Sequence, residues 1–372
     1  MKIVYLYYSM ATWGGTERIL VDKMNYFARQ YGYDVYLITS DQGGHPVLYG
    51  LDERVHFIDL NIRFHSRYKY NVIRRQWEFF RLSRLYHKKL EEQLRFLQPD
   101  LLVCTTIQAI KSLIKIKKDI PLVVESHINF LHPESLIHKI KKLINNYWIG
   151  KAEALVTLTE GDAKVWRHVS NHVHVIPNIV NLNNTGGYSD NLSKRVLFVG
   201  RFAEQKGIGD LFDIWKLIHE SCPDWYLDLY GDGELWDKFK NEANSLNINI
   251  EVHQPTAQIF DVYRNSSILV LTSVYEPFGL VMPEAMSCGL PVVAFDCPYG
   301  PSLIIEDGKD GFLIKNRDIH AFADKVCQLM ADENLRKKMG QRAIESSKRF
   351  SADKIMPVWQ RLFKDLIVRE NN

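Results

Sequence analysis

Short apolar runs alternate with segments of helical period along the whole chain. In the first half the runs are Ile3–Tyr8, Val35–Thr39, Val55–Ile58, Leu101–Cys104, Leu122–Val124, Leu155–Leu158 and Val173–Ile176. In the second half they are Val196–Val199, Tyr226–Tyr230, Ile250–Val252, Ile268–Leu271 and Pro291–Ala294. Most are rich in β-branched and aromatic residues and lack strict alternation, the pattern of strands covered on both faces. Between them, segments such as Thr16–Gln30, Ile208–Glu220 and Ile319–Met330 carry apolar residues at helical spacing. Strand–helix alternation of this kind predicts an α/β protein with doubly wound, Rossmann-like parallel sheets.

The pattern restarts midway. The stretch from Asn178 to Ser193 is polar and rich in Asn, Gly and Ser, and reads as a linker. After it, Arg195-Val-Leu-Phe-Val-Gly200 has the character of a new first strand. A chain of 372 residues is too long for one ordinary core, so two domains are expected, 1–180 and 194–350. A last helix, Ser351–Val368, is expected to pack back on the first domain, with Pro357 kinking it or opening a new turn. The halves share architecture but show no sequence repeat.

Composition is that of an ordinary globular protein, 46% hydrophobic and 24% charged. The first apolar run holds three tyrosines and is followed by no small-residue cleavage site, so it reads as a buried strand rather than a leader. No run of about 18 uninterrupted apolar residues is present to cross a bilayer. The five scattered cysteines form no C-x-x-C pair and fit free thiols in a reducing compartment. Charge is uneven. Residues 1–180 hold 25 Lys and Arg against 17 Asp and Glu, a net +8, whereas the rest carries 22 against 27, a net −5. A basic front half points to an anionic partner there.

Two loops carry the candidate chemistry. Gly200-Arg201-Phe-Ala-Glu-Gln-Lys206-Gly207 follows the second domain's first strand. A guanidinium and an ammonium on one loop can grip a diphosphate and stabilise the charge that grows on a departing nucleoside diphosphate. The second is Ser273-Val-Tyr-Glu276-Pro-Phe278-Gly279-Leu280-Val-Met-Pro-Glu284-Ala-Met-Ser-Cys-Gly289, read as a strand end followed by a helix from about Gly279 to before Gly289. Glycine at 279 lets a phosphate approach the backbone at a helix start, and a carboxylate suits a sugar or ribose diol. Taken alone, these residues read equally well as solvated surface charges and a favourable helix-start acid.

Together the two loops resemble glycosyltransferase family 4, through Gly-Arg-x4-Lys-Gly and then Glu-Pro-Phe-Gly-Leu-x3-Glu-Ala-Met-x-Cys-Gly-Leu-Pro-Val, with its E-x7-E pair. The likeness is dense from about 195 to 315. It implies a retaining enzyme of the GT-B fold, with two Rossmann-like domains facing across a cleft. It further implies that Arg201 and Lys206 bind the donor pyrophosphate, Glu284 the ribose and Glu276 the transferred sugar. Phe278, Gly279 and Leu280 would line the site, and the base would sit near His253-Gln254-Pro255. In the first domain, Gly14-Gly15-Thr16-Glu17 matches the family's N-terminal loop, and His127, just past a strand, matches a histidine near sugar and acceptor, with Glu125 behind it.

The pair Gly14-Gly15 is not a G-x-G-x-x-G fingerprint, so no NAD is expected, and Asp41 after the second strand is read as a coincidental mimic of a ribose-binding acid. His168, His172 and His174 lack a completing thiolate or carboxylate, and no Asp-x-Asp occurs, so neither a metal nor a cofactor is expected beyond a UDP-sugar donor. From Arg63 to Lys89 there are nine basic residues and one acid, interleaved with aromatics, and Val72–Leu97 has helical period. A second segment, Leu136–Trp148, sets Lys139, Lys141 and Lys142 beside apolar residues. Both suit an anionic lipid surface rather than nucleic acid. The expected acceptor is a lipid-linked glycan, such as a polyprenyl-diphosphate sugar, on the cytoplasmic face of the membrane. Phe-Asp-Cys-Pro-Tyr-Gly-Pro-Ser resembles the same stretch of bacterial transferases that build such glycans. The rival readings are an epimerase or phosphorylase on the same fold, and a non-catalytic sugar-nucleotide or membrane-binding protein.

Overall fold

The computed structural model describes residues 1–105, 110–127, 136–183 and 186–370, with the backbone alone at 136–142 and 369–370. Two compact units are present: Met1–Ile179 together with the segment from Ile355 onward, and Val180–Lys354.

The first unit holds β1 (Lys2–Tyr7), α1 (Gly15–Tyr31), β2 (Asp34–Thr39), β3 (Val55–Asp59), α2 (Val72–Leu97), β4 (Leu101–Cys104), α3 (Ile110–Ile116), β5 (Leu122–Glu125), α4 (Leu136–Ile149), β6 (Ala154–Thr157), α5 (Glu160–Trp166) and β7 (Val173–Val175). Its seven strands lie in the order β3-β2-β1-β4-β5-β6-β7, every pair parallel. One face is sealed by a stripe of α2, Leu82, Tyr86, Leu90, Leu94 and Leu97, against Leu6, Leu102 and Leu122. These five positions recur every three or four residues, so one edge of a long polar helix meets the sheet. Asn71 caps α2 by accepting from the Arg74 N–H at 3.0 Å.

The second unit holds β8 (Arg195–Val199), α6 (Ile208–Ser221), β9 (Tyr226–Tyr230), α7 (Trp236–Ser245), β10 (Ile250–His253), α8 (Ile259–Arg264), β11 (Ile268–Leu271), α9 (Val281–Ser287), β12 (Val292–Asp296), α10 (Pro301–Ile304), β13 (Gly311–Lys315), α11 (Ile319–Ala331) and α12 (Glu333–Ser347). Its six parallel strands run β10-β9-β8-β11-β12-β13. Phe198, Phe212, Trp215, Phe295 and Phe322 fill the core. In each sheet the order reverses beside the unit's first strand, between β1 and β4 and between β8 and β11. Crevices at the carboxyl ends of strands form there.

The final helix, α13 (Ala352–Glu370), runs through Pro357 as one helix, so no new turn begins there. Pro357 lies in the second turn and removes a single backbone donor, a loss the packed helix tolerates. Trp359 and Phe363 are buried in the first unit, where Phe363 stacks on Phe27 at 5.2 Å. The polar stretch after Asn178 is not a free tether. Val180 N–H donates to Phe350 O, and the Ser189 hydroxyl and Asn191 amide donate to Ser266 O and Gly289 O. Its polar side chains serve loop carbonyls of the second unit. Strand β13 was not expected, because Gly311 opens it and polar loop residues flank it.

Candidate functional site

In the second unit, the loop after β8 and the loop after β11 lie side by side at the switch point. Gly207, at φ +60°, makes the approach possible, since a Cβ there would fall 2.1 Å from Thr272 O. Thr272 Oγ1 donates to Lys206 O, Val274 N–H to Gln205 O, and the Gln205 amide to Tyr275 O. These bonds bring Lys206 Nζ to 2.5 Å from Glu276 Oε2, and the Ser273 hydroxyl donates to the same oxygen at 3.1 Å. Both charged side chains are largely withdrawn from water. The Glu276 backbone is pinned as well. Its N–H donates to Pro298 O, and its carbonyl accepts from Tyr299 and Gly300. A Cβ at Gly300 would strike Phe278 O at 2.1 Å, so this loop admits no side chain there.

Arg201 is exposed, and its side chain makes no hydrogen bond or ion pair among the described residues. Glu284 is buried on α9 and accepts from the Tyr263 hydroxyl at 3.0 Å. Gly279 has φ +91° and precedes α9, which begins at Val281 with Leu280 as its cap. The helix is therefore shorter than expected and starts two residues later, because the left-handed glycine cannot lie inside it. Phe278 does not line a site. Its ring is 2% exposed and packs edge-on against Phe350 at 5.4 Å. An aromatic ring beside a solvent loop found a core position instead. Leu280 is half-buried, and Gln254 is exposed at the end of β10.

Sequence reasoning missed a cluster beside Gln254. Arg195 Nη1 donates to both Asp228 oxygens at 2.7 and 2.8 Å and approaches Glu251 at 3.3 Å, and His253 Nε2 lies 3.2 Å from Asp228 Oδ1. Asp228, Glu251 and His253 are the one group among the described residues spaced to hold a metal ion. Arg195 already supplies a cation there, so the geometry is that of a paired charge cluster. His168, His172 and His174 form no such group among the described residues. Ser273 and Tyr263, the neutral partners of the two glutamates, also went unforeseen. Only Ser273, three residues before Glu276, left a trace in the sequence. Burial pushes the Cys288 and Cys297 thiols up to about 12, which keeps them inert.

In the first unit, Gly14 and Gly15 open α1, and Thr16 is half-buried in its first turn. Glu17 serves the loop rather than standing free. Its Oε1 accepts from the hydroxyls of Thr12 (2.8 Å), Tyr7 (3.0 Å) and Tyr8 (3.4 Å). A Cβ at Gly14 would land 2.1 Å from its Oε2. Burial, and then Glu17, raise the Tyr7 phenol well above its ordinary value, so it stays a donor. The buried Glu17 is thus the organiser of the loop between β1 and α1, a correction to its expected place on a substrate.

His127 follows β5, its Nε2 3.0 Å from Glu125 Oε2, and the buried Lys23 ammonium of α1 donates to that same oxygen. Lys23 lies over the Trp359 ring, 4.4 Å from its centroid. Burial alone would raise the Glu125 carboxyl, but Lys23 and His127 outweigh it and hold it at about 2.

A cavity of about 490 Å³ opens at the ends of β1 and β2, lined among others by Tyr8, Ser40, Asp41, Phe64, Arg67 and Phe79. Asp41 accepts from the Ser40 hydroxyl at 2.7 Å. Beside it, α2 leaves Val72, Ile73, Trp77 and Phe80 exposed among Arg74, Arg75 and Arg81, while Glu78 is buried and paired with Arg81. The lysines expected to mark Leu136–Trp148, Lys139, Lys141 and Lys142, have side chains outside the described residues, but Leu143, Ile144 and Tyr147 on α4 are exposed. No helix among the described residues is long and apolar enough to cross a membrane.

Two family models match the chain, "Glycosyltransferase Family 4" over residues 13–184 and "Glycosyl transferases group 1" over 189–346. An uncharacterized glycosyltransferase of Haemophilus influenzae is 28% identical over 366 residues, covering 96% of this chain and 99% of the relative. The amylovoran biosynthesis glycosyltransferase AmsD of Erwinia amylovora is 28% identical over 380 residues, 96% of this chain and 98% of its own. Among solved structures, a mutant of S. aureus TarM in complex with fondaparinux, α-GlcNAc-glycerol and UDP superposes with a TM-score of 0.79 at 18% identity, covering 97% of this chain and 99% of that one. The two parallel sheets with flanking helices are those of the GT-B fold, and the chain belongs to glycosyltransferase family 4.

Proposed function

We propose that this glycosyltransferase moves a hexose or N-acetylhexosamine from a UDP-sugar to a glycan acceptor, with retention of anomeric configuration and without a metal ion. The observation that carries the reading is the Lys206–Glu276–Ser273 cluster at the switch point of the second unit, with Arg201 unengaged on the same loop as Lys206. In this reading Arg201 and Lys206 hold the donor diphosphate, Glu276 the transferred sugar and Glu284 the ribose. Gly279 and Leu280 offer backbone N–H groups to phosphate, and Gln254 borders the base. The anomeric carbon–oxygen bond to phosphate breaks, the acceptor hydroxyl forms the new bond on the same face, and its proton passes to the leaving phosphate oxygen. The two cations offset the charge that develops there, so a metal is dispensable.

The acceptor falls to the first unit, with Gly14, Gly15 and Thr16 near it and His127 on an acceptor or sugar hydroxyl. A polyprenyl-diphosphate-linked saccharide suits the exposed aromatic and basic face of α2, which would rest on an anionic bilayer surface at the cytoplasmic side. The name of AmsD places that relative in polysaccharide biosynthesis, and UDP is bound in the TarM structure; both support the choice of substrate.

The test is nucleotide release by the purified protein in EDTA across a panel of UDP- and GDP-sugars, with and without a polyprenyl-diphosphate sugar. Release from one UDP-sugar, raised by the acceptor and giving an α-linked product from an α-linked donor, is the expected result. Dependence on added Mn²⁺ or Mg²⁺ would remove the metal-free mechanism. Donor-induced thermal stabilisation without turnover would favour a binding protein.

A further inference from the structure

The buried Lys23–Glu125–His127 chain lies in the first unit. Resting on the reading that His127 serves the transfer site, we propose that Lys23 and Glu125 are positioning residues that fix the proton of His127 on Nε2 and leave Nδ1 as its acceptor. The argument is geometric. Glu125 Oε2 receives the Lys23 ammonium and lies 3.0 Å from His127 Nε2. An ionised carboxylate can only accept, so Nε2 must donate. In a neutral imidazole the other nitrogen then carries a lone pair that can accept a hydrogen bond from a hydroxyl.

Lys23 keeps Glu125 in its accepting, ionised form. Glu125 is 2% exposed, and its Oε1 has no partner among the described residues. A carboxylate so buried would take up a proton near neutrality if it stood alone. A protonated Glu125 could donate as well as accept, and the tautomer of His127 would no longer be defined. The other titratable group near Glu125 among the described residues is Tyr5 of β1, whose phenol burial raises well above its ordinary value, so it supplies no charge. On the remaining side Trp359 of α13 presents its ring face to Lys23 as a weak second partner, while burial lowers the ammonium and Glu125 opposes that shift. The last helix thereby supports the residue that supports the histidine.

The test combines ¹⁵N-histidine NMR with pH–rate profiles. The His127 signals are assigned by comparison with His127→Gln. In the wild type, the neutral form of His127 should carry its proton on Nε2 rather than Nδ1. Lys23→Met should mix the tautomers and give kcat a new acid limb, falling at least tenfold from pH 9 to pH 6. Lys23→Met/Glu125→Gln removes both charges and leaves an amide that can donate or accept. It should leave the tautomers mixed but remove the new acid limb, since no carboxyl is left to titrate, and it guards against a single variant that fails to fold. A wild-type ring protonated at Nδ1, or a Lys23→Met enzyme that loses melting temperature while keeping the wild-type tautomer and profile shape, would overturn the proposal. If the tautomers behave as expected but His127→Gln turns over at the wild-type rate, the relay has no part in transfer. The fault then lies in the role given to His127, not in the geometry.

Discussion

The Lys206–Glu276 pair should be strongly coupled, and the structure sets the size of that coupling. The ammonium and carboxylate are 2.5 Å apart, with 17% and 8% of their side chains exposed. Exposed pairs contribute about 0–1 kcal/mol, while removing one partner of a buried pair costs about 3–5 kcal/mol. This pair lies between, nearer the buried limit on the Glu276 side. In Lys206→Met the carboxylate keeps only the Ser273 hydroxyl and the cost should be roughly 2–3 kcal/mol. In Glu276→Gln the amide still accepts and Lys206 can turn toward solvent, so the cost should be roughly 1–2 kcal/mol. The double variant should lose less than the two together by about 1–2 kcal/mol. A unit of this size shifts about 2–4 °C per kcal/mol, so the transition of the second unit should fall by roughly 5–10 °C in Lys206→Met. The assay is scanning calorimetry resolved into two transitions. Transfer should fall about 10²- to 10³-fold in Lys206→Met and in Glu276→Ala. Stabilities that simply add, with a double variant as damaged as both singles combined, would refute the coupling.

Two further outcomes follow from other parts of the chain. Burial raises the Asp162 carboxyl to about 6, above its value in the unfolded chain, so the folded state is weakened as pH rises through that range. Asp162→Asn should therefore stabilise the first unit by roughly 1 kcal/mol at pH 8 and by nothing at pH 4, read from melting temperatures at both values. Replacing the exposed Trp77 and Phe80 of α2 by serine should weaken flotation with vesicles of anionic phospholipid, roughly tenfold per side chain, while melting stays unchanged; equal flotation would remove α2 from the membrane.

Much of the architecture was legible because both sheets are parallel and covered on both faces, so each strand announces itself as an unbroken apolar run. Val72–Leu97 emerged with the bounds that periodicity gives, since Asn71 caps it and Gln98 ends it in a left-handed turn. Strand β13 escaped because charged turn residues on both sides disguise its five positions. At the site, the spacing of Glu276 and Glu284 pointed to chemistry, but the sequence could not show that Phe278 faces the core. That choice depends on Phe350, seventy-two residues later. Glu17 was misjudged for the same reason. Three hydroxyls converge on it, and only the curl of the loop after β1 brings Tyr7, Tyr8 and Thr12 together. The Lys23–Glu125 pair spans 102 residues and leaves no local mark.

The closing helix gives this protein an unusual order of assembly during translation. The first unit begins the chain, yet Phe27 waits for Phe363, Lys23 for Trp359, and the Tyr33 hydroxyl for Gln360. A ribosome adding about 5–20 residues per second needs roughly 10–35 s to make the intervening second unit. At the end of that interval the second unit has all its sequence and can close its core, while the nascent first unit still carries an open apolar seam. The unit whose translation starts first is thus finished after the other, and its apolar seam stays open until α13 has been made.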